Sequence, residues 1–163
     1  MRYKVVPAPA DRALLSDVHE ALPLVPGSVE DCCTRIRDRT SVHSRDDARE
    51  WLTFAEALGL AADTDRGYHR VRDPPGDEEL ASAFVGNVFP VEEVLDALAD
   101  ASEPLDTAGV FAAVREDVPK WERDRYADWE DEWQDRIDLV FAWCVEFGLV
   151  EQGDAGATLP DSR

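Results

Sequence analysis

Apolar residues recur along the chain at helical spacing, and glycine and proline punctuate them. The clearest case is Arg45–Val71. Ala48, Trp51, Leu52, Ala55, Leu58 and Leu60 are spaced so that they share one stripe of a helix. Gly59 follows the last full turn and suits a left-handed helix stop. A short extended run, a polar tip from Asp63 to Gly67 and a second extended run over Tyr68–Val71 then predict a hairpin. Upstream, Leu14, Leu15, Val18 and Leu22 predict a helix over Arg12–Leu22, with Asp11 as its N-cap. Pro23–Gly27 reads as a break. Val29, Cys32, Cys33 and Ile36 predict a second helix. Ser28 caps it, and Asp31 lies three residues on in the manner of a capping box. Arg2–Val6 is a β-prone run expected to add a strand beside the hairpin.

Asp73-Pro74-Pro75-Gly76-Asp77 is the sharpest break in the chain. Beyond it, Glu78–Val88 reads as a connecting helix carrying Leu80, Phe84 and Val88. Pro90 opens a helix over Val91–Ala101, and Asp106 caps another that runs through Arg115. A charged insert over Asp117–Asp135 holds Trp121, Tyr126, Trp129 and Trp133. A last helix ends in Phe147-Gly148-Leu149, and the tail has the glycines of a second, poorer hairpin before an end expected to be disordered.

The two halves repeat each other. Trp51–Leu60 aligns with Val140–Leu149 at an offset of 89 residues, with apolar, aromatic and Gly-Leu positions in step. Cys32, Cys33 and Ile36 align with Val110, Phe111 and Val114 at an offset of 78, and the difference fits inside the Trp-rich insert. The order helix, capped helix, turn, helix, Gly-Leu, hairpin resembles the winged helix-turn-helix superfamily, twice in tandem. That resemblance implies a mainly α fold with small β-hairpins as wings. The first unit is expected over 8–74, a connecting helix over 75–89 and the second unit, with its acidic insert, over 90–160.

Charge changes the functional picture more than the fold. There are 36 acidic residues against 17 basic, a net charge of −19. Only Lys4 and Lys120 are lysines, and 21 of the acids are Asp. Such a surface resembles that of proteins from salt-loving archaea, where hydrated carboxylates stay soluble because salt screens their repulsion. Residues 8–72 carry nine basic and twelve acidic side chains, whereas residues 73–163 carry six basic and twenty-four acidic. No apolar run approaches the ~20 residues a membrane span needs, and the N-terminus lacks an apolar signal core, so a cytoplasmic protein is expected. Three cysteines, two of them adjacent, do not make a disulfide framework.

The resemblance implies a DNA contact through the third helix and the wing of the first unit. The candidates are His43, Arg45, Arg49, Arg66, His69, Arg70 and Arg72, because arginine suits phosphate and guanine. Asp46, Asp47 and Glu50 sit beside them and repel phosphate, and ion pairing to such carboxylates is the competing reading. In the second unit the corresponding helix is crowded with acids. Trp121, Tyr126, Trp129 and Trp133 are candidates for a protein interface, against plain packing of an amphipathic helix. Cys32, Cys33, His19, His43 and His69 lack paired-ligand spacing, so no metal or cofactor is expected. Phosphate-loop, dinucleotide and nucleophile-elbow motifs are absent from the sequence, and no enzyme is expected. The sequence therefore favours a non-enzymatic protein-interaction or regulatory adaptor in a halophilic cytoplasm. A DNA-binding transcriptional regulator acting through the first unit is the alternative, and a homodimer stays open.

Overall fold

Side-chain caps set where the first three helices begin. This is a computed structural model, and it describes Tyr3 and residues 6–125 and 127–160. Helix α1 (Arg12–Ala21) starts at Asp11, whose carboxylate accepts from the amides of Ala13 at 2.8 Å and Leu14 at 3.3 Å. Helix α2 (Val29–Arg39) has the full capping box. Ser28 Oγ accepts from the Asp31 amide at 3.0 Å, and the Asp31 carboxylate accepts from the Ser28 amide at 3.4 Å. Helix α3 (Arg45–Ala57) is capped by Ser44, which accepts from the Asp47 amide at 3.0 Å. At its end Gly59 takes a φ of 81°, and the Leu60 amide returns to the Ala55 carbonyl at 2.8 Å. Strands β1 (Ala61–Thr64) and β2 (Gly67–Arg70) then pair antiparallel, with Ala61 opposite Arg70 and Thr64 opposite Gly67.

The wing carries an isolated backbone bridge at its outer edge that the sequence reading missed. Gly27 and Tyr68 exchange two backbone hydrogen bonds, each of 2.9 Å, and the Arg70 amide donates to the Pro23 carbonyl at 2.7 Å. The Pro23–Gly27 break is therefore also the edge of the wing. Trp51, Leu52, Phe54, Ala55 and Leu58 of α3 are buried, as are Leu14, Leu15 and Val18 of α1 and Cys32, Cys33 and Ile36 of α2. Helix α4 (Asp77–Asn87) lies in the same unit, which extends to Val88. Its Phe84 meets Phe54 edge-on with ring centroids 6.0 Å apart, and Asn87 Nδ2 donates to the Ala57 carbonyl at 2.8 Å. Of the N-terminal run, Tyr3 pairs with Val88 through its amide to the Asn87 carbonyl at 2.8 Å, rather than in the wing ladder. The outer edge of β2 is taken by Gly27. The rest of that run, residues 2, 4 and 5, lies outside the described residues, as do Tyr126 and the last three residues.

The second unit, residues 89–163, rebuilds the order. Helix α5 (Val91–Asp100) is followed by α6 (Thr107–Val114), capped by Asp106 on the Gly109 amide at 2.7 Å. A 3-10 turn (Arg115–Asp117) and the short helix α7 (Lys120–Arg125) fill the insert. Helix α8 (Trp129–Glu146) ends, like α3, before a glycine of positive φ, Gly148, with the Leu149 amide returning to Cys144 at 2.9 Å. Strands β3 (Glu151–Gly153) and β4 (Gly156–Thr158) form the second wing, and Leu105 pairs with Ala157 as Gly27 pairs with Tyr68. The repeat thus holds in backbone detail: Gly59 and Gly148, Gly67 and Gly156, Gly27 and Leu105 are equivalent.

All three cysteines are free and buried. Burial pushes the Cys32 thiol up to about 11 and the Cys144 thiol up to about 12, and burial also raises Cys33 against the pull of Arg45. Only the thiolate is nucleophilic. Iodoacetamide at about pH 8, near the ordinary thiol value, is expected to leave the folded chain unlabelled and to add three groups once denaturant exposes the thiols. Rapid labelling of the folded chain, read by mass spectrometry, would contradict this burial.

Candidate functional site

Arg45 and Arg49 are four residues apart and share the exposed side of α3. Arg45 is already engaged. Its guanidinium grips Glu30 of α2, with Nε at 2.8 Å and 3.0 Å from the two carboxylate oxygens and Nη2 on Oε1, and Asp46 lies 3.9 Å from Nη1. The hydrogen bond from Arg45 holds the Glu30 carboxyl below its usual range, and the same bond raises Arg45. Glu50 is pushed up by burial and then by Asp47 and Asp46, so negative charge accumulates along this helix. Arg49 is exposed and makes no ion pair among the described residues. Arg37 Nε donates to the His43 carbonyl at 3.0 Å and fixes the turn into α3, leaving the His43 side chain exposed.

The wing holds the other four candidates in different settings. Arg66 is exposed at the tip, where Thr64 Oγ1 accepts from its amide at 3.2 Å. Arg72 is exposed beyond the second strand. His69 and Arg70 are half-buried. His69 Nδ1 donates to the Arg70 carbonyl at 3.0 Å, and Arg70 Nε is enclosed without a hydrogen-bond partner among the described residues. Consecutive strand residues face opposite sides of a sheet, so His69 and Arg70 cannot join one basic surface. The seven candidates therefore divide: five exposed, one of those neutralised by Glu30, and two sequestered in the wing.

The tryptophan series divides too. Trp133 is fully buried on α8, with Phe89 edge-on at 5.8 Å and the Arg136 guanidinium 4.7 Å from its ring centre. It belongs to the core and offers no surface, because position 133 starts the apolar stripe continued by Ile137, Val140 and Phe141. Trp129 is half-buried between two cations, Arg115 at 5.1 Å and Arg123 at 5.5 Å from its ring centre. Arg123 Nε also donates to the Val118 carbonyl at 3.0 Å, which pins the insert. Trp121, on α7, is 56% exposed and is the one described tryptophan of the series that presents a surface. Tyr126 falls outside the described residues. Sequence reasoning passed over Leu24 and Val25, which are 46% and 76% exposed on the Pro23–Gly27 edge. Their signal was an apolar pair between prolines with no helical stripe to join.

Among the described residues no group of three or more His, Cys, Asp or Glu side chains is placed to hold a metal ion, and no helix is long and apolar enough to cross a membrane. His19 is occupied in the fold, its Nε2 donating to the Val71 carbonyl at 2.8 Å. No curated protein and no solved structure is significantly similar to the chain. Two helical units, each closed by a two-stranded hairpin with a backbone bridge at its edge, together with an Asp-rich, Lys-poor composition, agree with what the whole sequence matches. Over residues 1–163 it fits the pattern described as the Halobacterial double winged helix domain, and the chain belongs to that family.

Proposed function

We propose that the protein is a non-enzymatic, cytoplasmic interaction module that engages a protein partner rather than duplex DNA. One observation supports this above the rest: the helix placed to read a groove, α3, opens with Asp46 and Asp47, and its first arginine is spent on Glu30. A reader of phosphate needs net positive charge at that place. The equivalent helix α8 opens with Glu130, Asp131 and Glu132. Trp121, with acidic neighbours, is a fitting anchor for a partner because tryptophan is enriched where interfaces concentrate their energy.

A specific observation favours the second reading. Arg49, Arg66 and Arg72 are exposed and free of ion pairs among the described residues. DNA engagement through 43–72 would use them. The test is fluorescence anisotropy of a labelled generic duplex, titrated over the salt range in which far-UV dichroism reports a folded chain. The proposal expects no saturable binding. A DNA reader instead loses affinity linearly on a log–log salt plot, with slope about −0.9 per phosphate contacted. Binding of that kind, abolished by the combined changes Arg49→Ala, Arg66→Ala and Arg72→Ala, would replace the adaptor with a transcriptional regulator.

A further inference from the structure

The first unit contains a cavity of about 190 Å³ that neither reading uses. Arg12, Leu15 and His19 of α1 form one wall, Leu60 lies at the root of the wing, and Asp77 and Leu80 of α4 close the far side. Leu15, Leu60 and Leu80 are 2%, 4% and 6% exposed, so the apolar lining is recessed. The volume is below the roughly 300–1,000 Å³ of drug-sized ligand sites, so it admits a smaller molecule. At the rim, Arg12 Nη2 donates to Asp77 Oδ1 at 2.9 Å. The Asp77 side chain is 88% exposed, and Arg12 is its only ion-pair partner among the described residues.

We propose that this cavity binds a small apolar monocarboxylic acid, whose carboxylate takes the place of Asp77 on Arg12 while its body rests on Leu15, Leu60 and Leu80. A guanidinium offers two parallel donors to a carboxylate, which fixes the orientation of the bound acid. Asp77 is the intramolecular stand-in for that group. An exposed pair of this kind shifts an equilibrium by no more than about fivefold, so an incoming carboxylate that also buries an apolar body displaces it. The His19 ring, held by Val71 at the end of the wing, is part of the wall. Occupancy thus braces α1 against both roots of the wing hairpin, at Leu60 and at Val71. The site stands apart from the partner question, since it uses none of the residues assigned to α3 or Trp121.

The test uses the full chain in concentrated potassium chloride, with benzoate as probe and benzamide as its uncharged counterpart, followed by calorimetry and by ligand-observed NMR. Benzoate is expected to bind saturably and benzamide to bind far more weakly. Arg12→Gln is expected to weaken benzoate by about tenfold or more, the loss that follows removal of a charge-assisted pair. Asp77→Asn has the opposite sign: it removes the competing carboxylate and is expected to tighten benzoate severalfold. Both side chains sit at the rim, and thermal melts check that each variant is folded. Should Arg12→Gln fail to fold, Asp77→Asn still decides. Absence of saturable benzoate binding, equal binding of benzamide, or an unchanged affinity in either folded variant overturns the proposal.

Discussion

Phe54→Ala is expected to lower stability by about 3–5 kcal/mol, the largest effect of any single core substitution considered for the first unit. Phe54 is 1% exposed near the end of α3. Its ring meets Trp51 edge-on at 6.3 Å and 85°, and Phe84 at 6.0 Å and 83°. Such pairs add about 0.5–1.5 kcal/mol each beyond area burial. The second contact matters most, because Phe84 belongs to α4 and its ring packs that helix onto α3, beside the Asn87–Ala57 hydrogen bond. Alanine would remove both edges and leave a cavity ringed by two aromatic faces that cannot collapse without moving a helix. Against a typical stability of about 5–15 kcal/mol, that loss leaves little margin. Phe54→Leu keeps most of the volume and forfeits the ring geometry, so it is expected to cost less than half as much. Urea denaturation followed by far-UV dichroism measures both. A loss below about 1 kcal/mol for alanine would mean that α4 is not held through this ring.

Much of this packing was legible in the sequence, and the reasons for the misses are physical. Asp11, Ser28 and Asp106 could be read as caps because capping is local: the side chain bonds to an amide two or three residues on. Gly59 and Gly148 could be read as helix stops for the same reason, and the repeat fixed the equivalence of the two halves. The bridge at the edge of each wing was not legible. Gly27 gains strand character only through Tyr68, far along the chain, and two prolines around it read locally as a break. The candidate site shows the same division. Residue types and their α3 spacing were plain. That Glu30 would neutralise Arg45, fifteen residues away and on another helix, was not. Spacing did mark Trp133, which continues into the stripe of Ile137, Val140 and Phe141, as a core candidate, while Trp121 lay outside that stripe.

The hidden edge bridge leads to the other large effect. Gly67→Ala is expected to cost about 2–4 kcal/mol. Gly67 has a φ of 124°, a region that L side chains rarely adopt, and that alone costs of order 1–3 kcal/mol. The steric conflict adds to it. A Cβ at Gly67 would lie 2.8 Å from the Gly27 carbonyl carbon and closer still to its oxygen, the atom that accepts the Tyr68 amide. The obstacle is backbone, so no rotamer relieves it. The chain would have to release the Gly27–Tyr68 pair. Gly156→Ala repeats the experiment in the second unit, with a φ of 125° and a Cβ 2.9 Å from the Leu105 oxygen. Its loss is expected to be smaller, because the Leu105 carbonyl has less far to move. Gly86→Ala provides the opposite sign. It lies in α4 with nothing within 4 Å of the added carbon, and is expected to gain up to about 1 kcal/mol. Thermal melts rank the three variants, and amide exchange at Gly27 and Tyr68 locates the damage: Gly67→Ala should speed both. A Gly67→Ala protein as stable as Gly86→Ala would mean that the Gly27–Tyr68 bridge does not hold the wing. If the expected order holds, the glycine at this point in each half is required by the backbone that bridges against the wing, Gly27 or Leu105, and the repeat is a repeat of that constraint as well as of the helices.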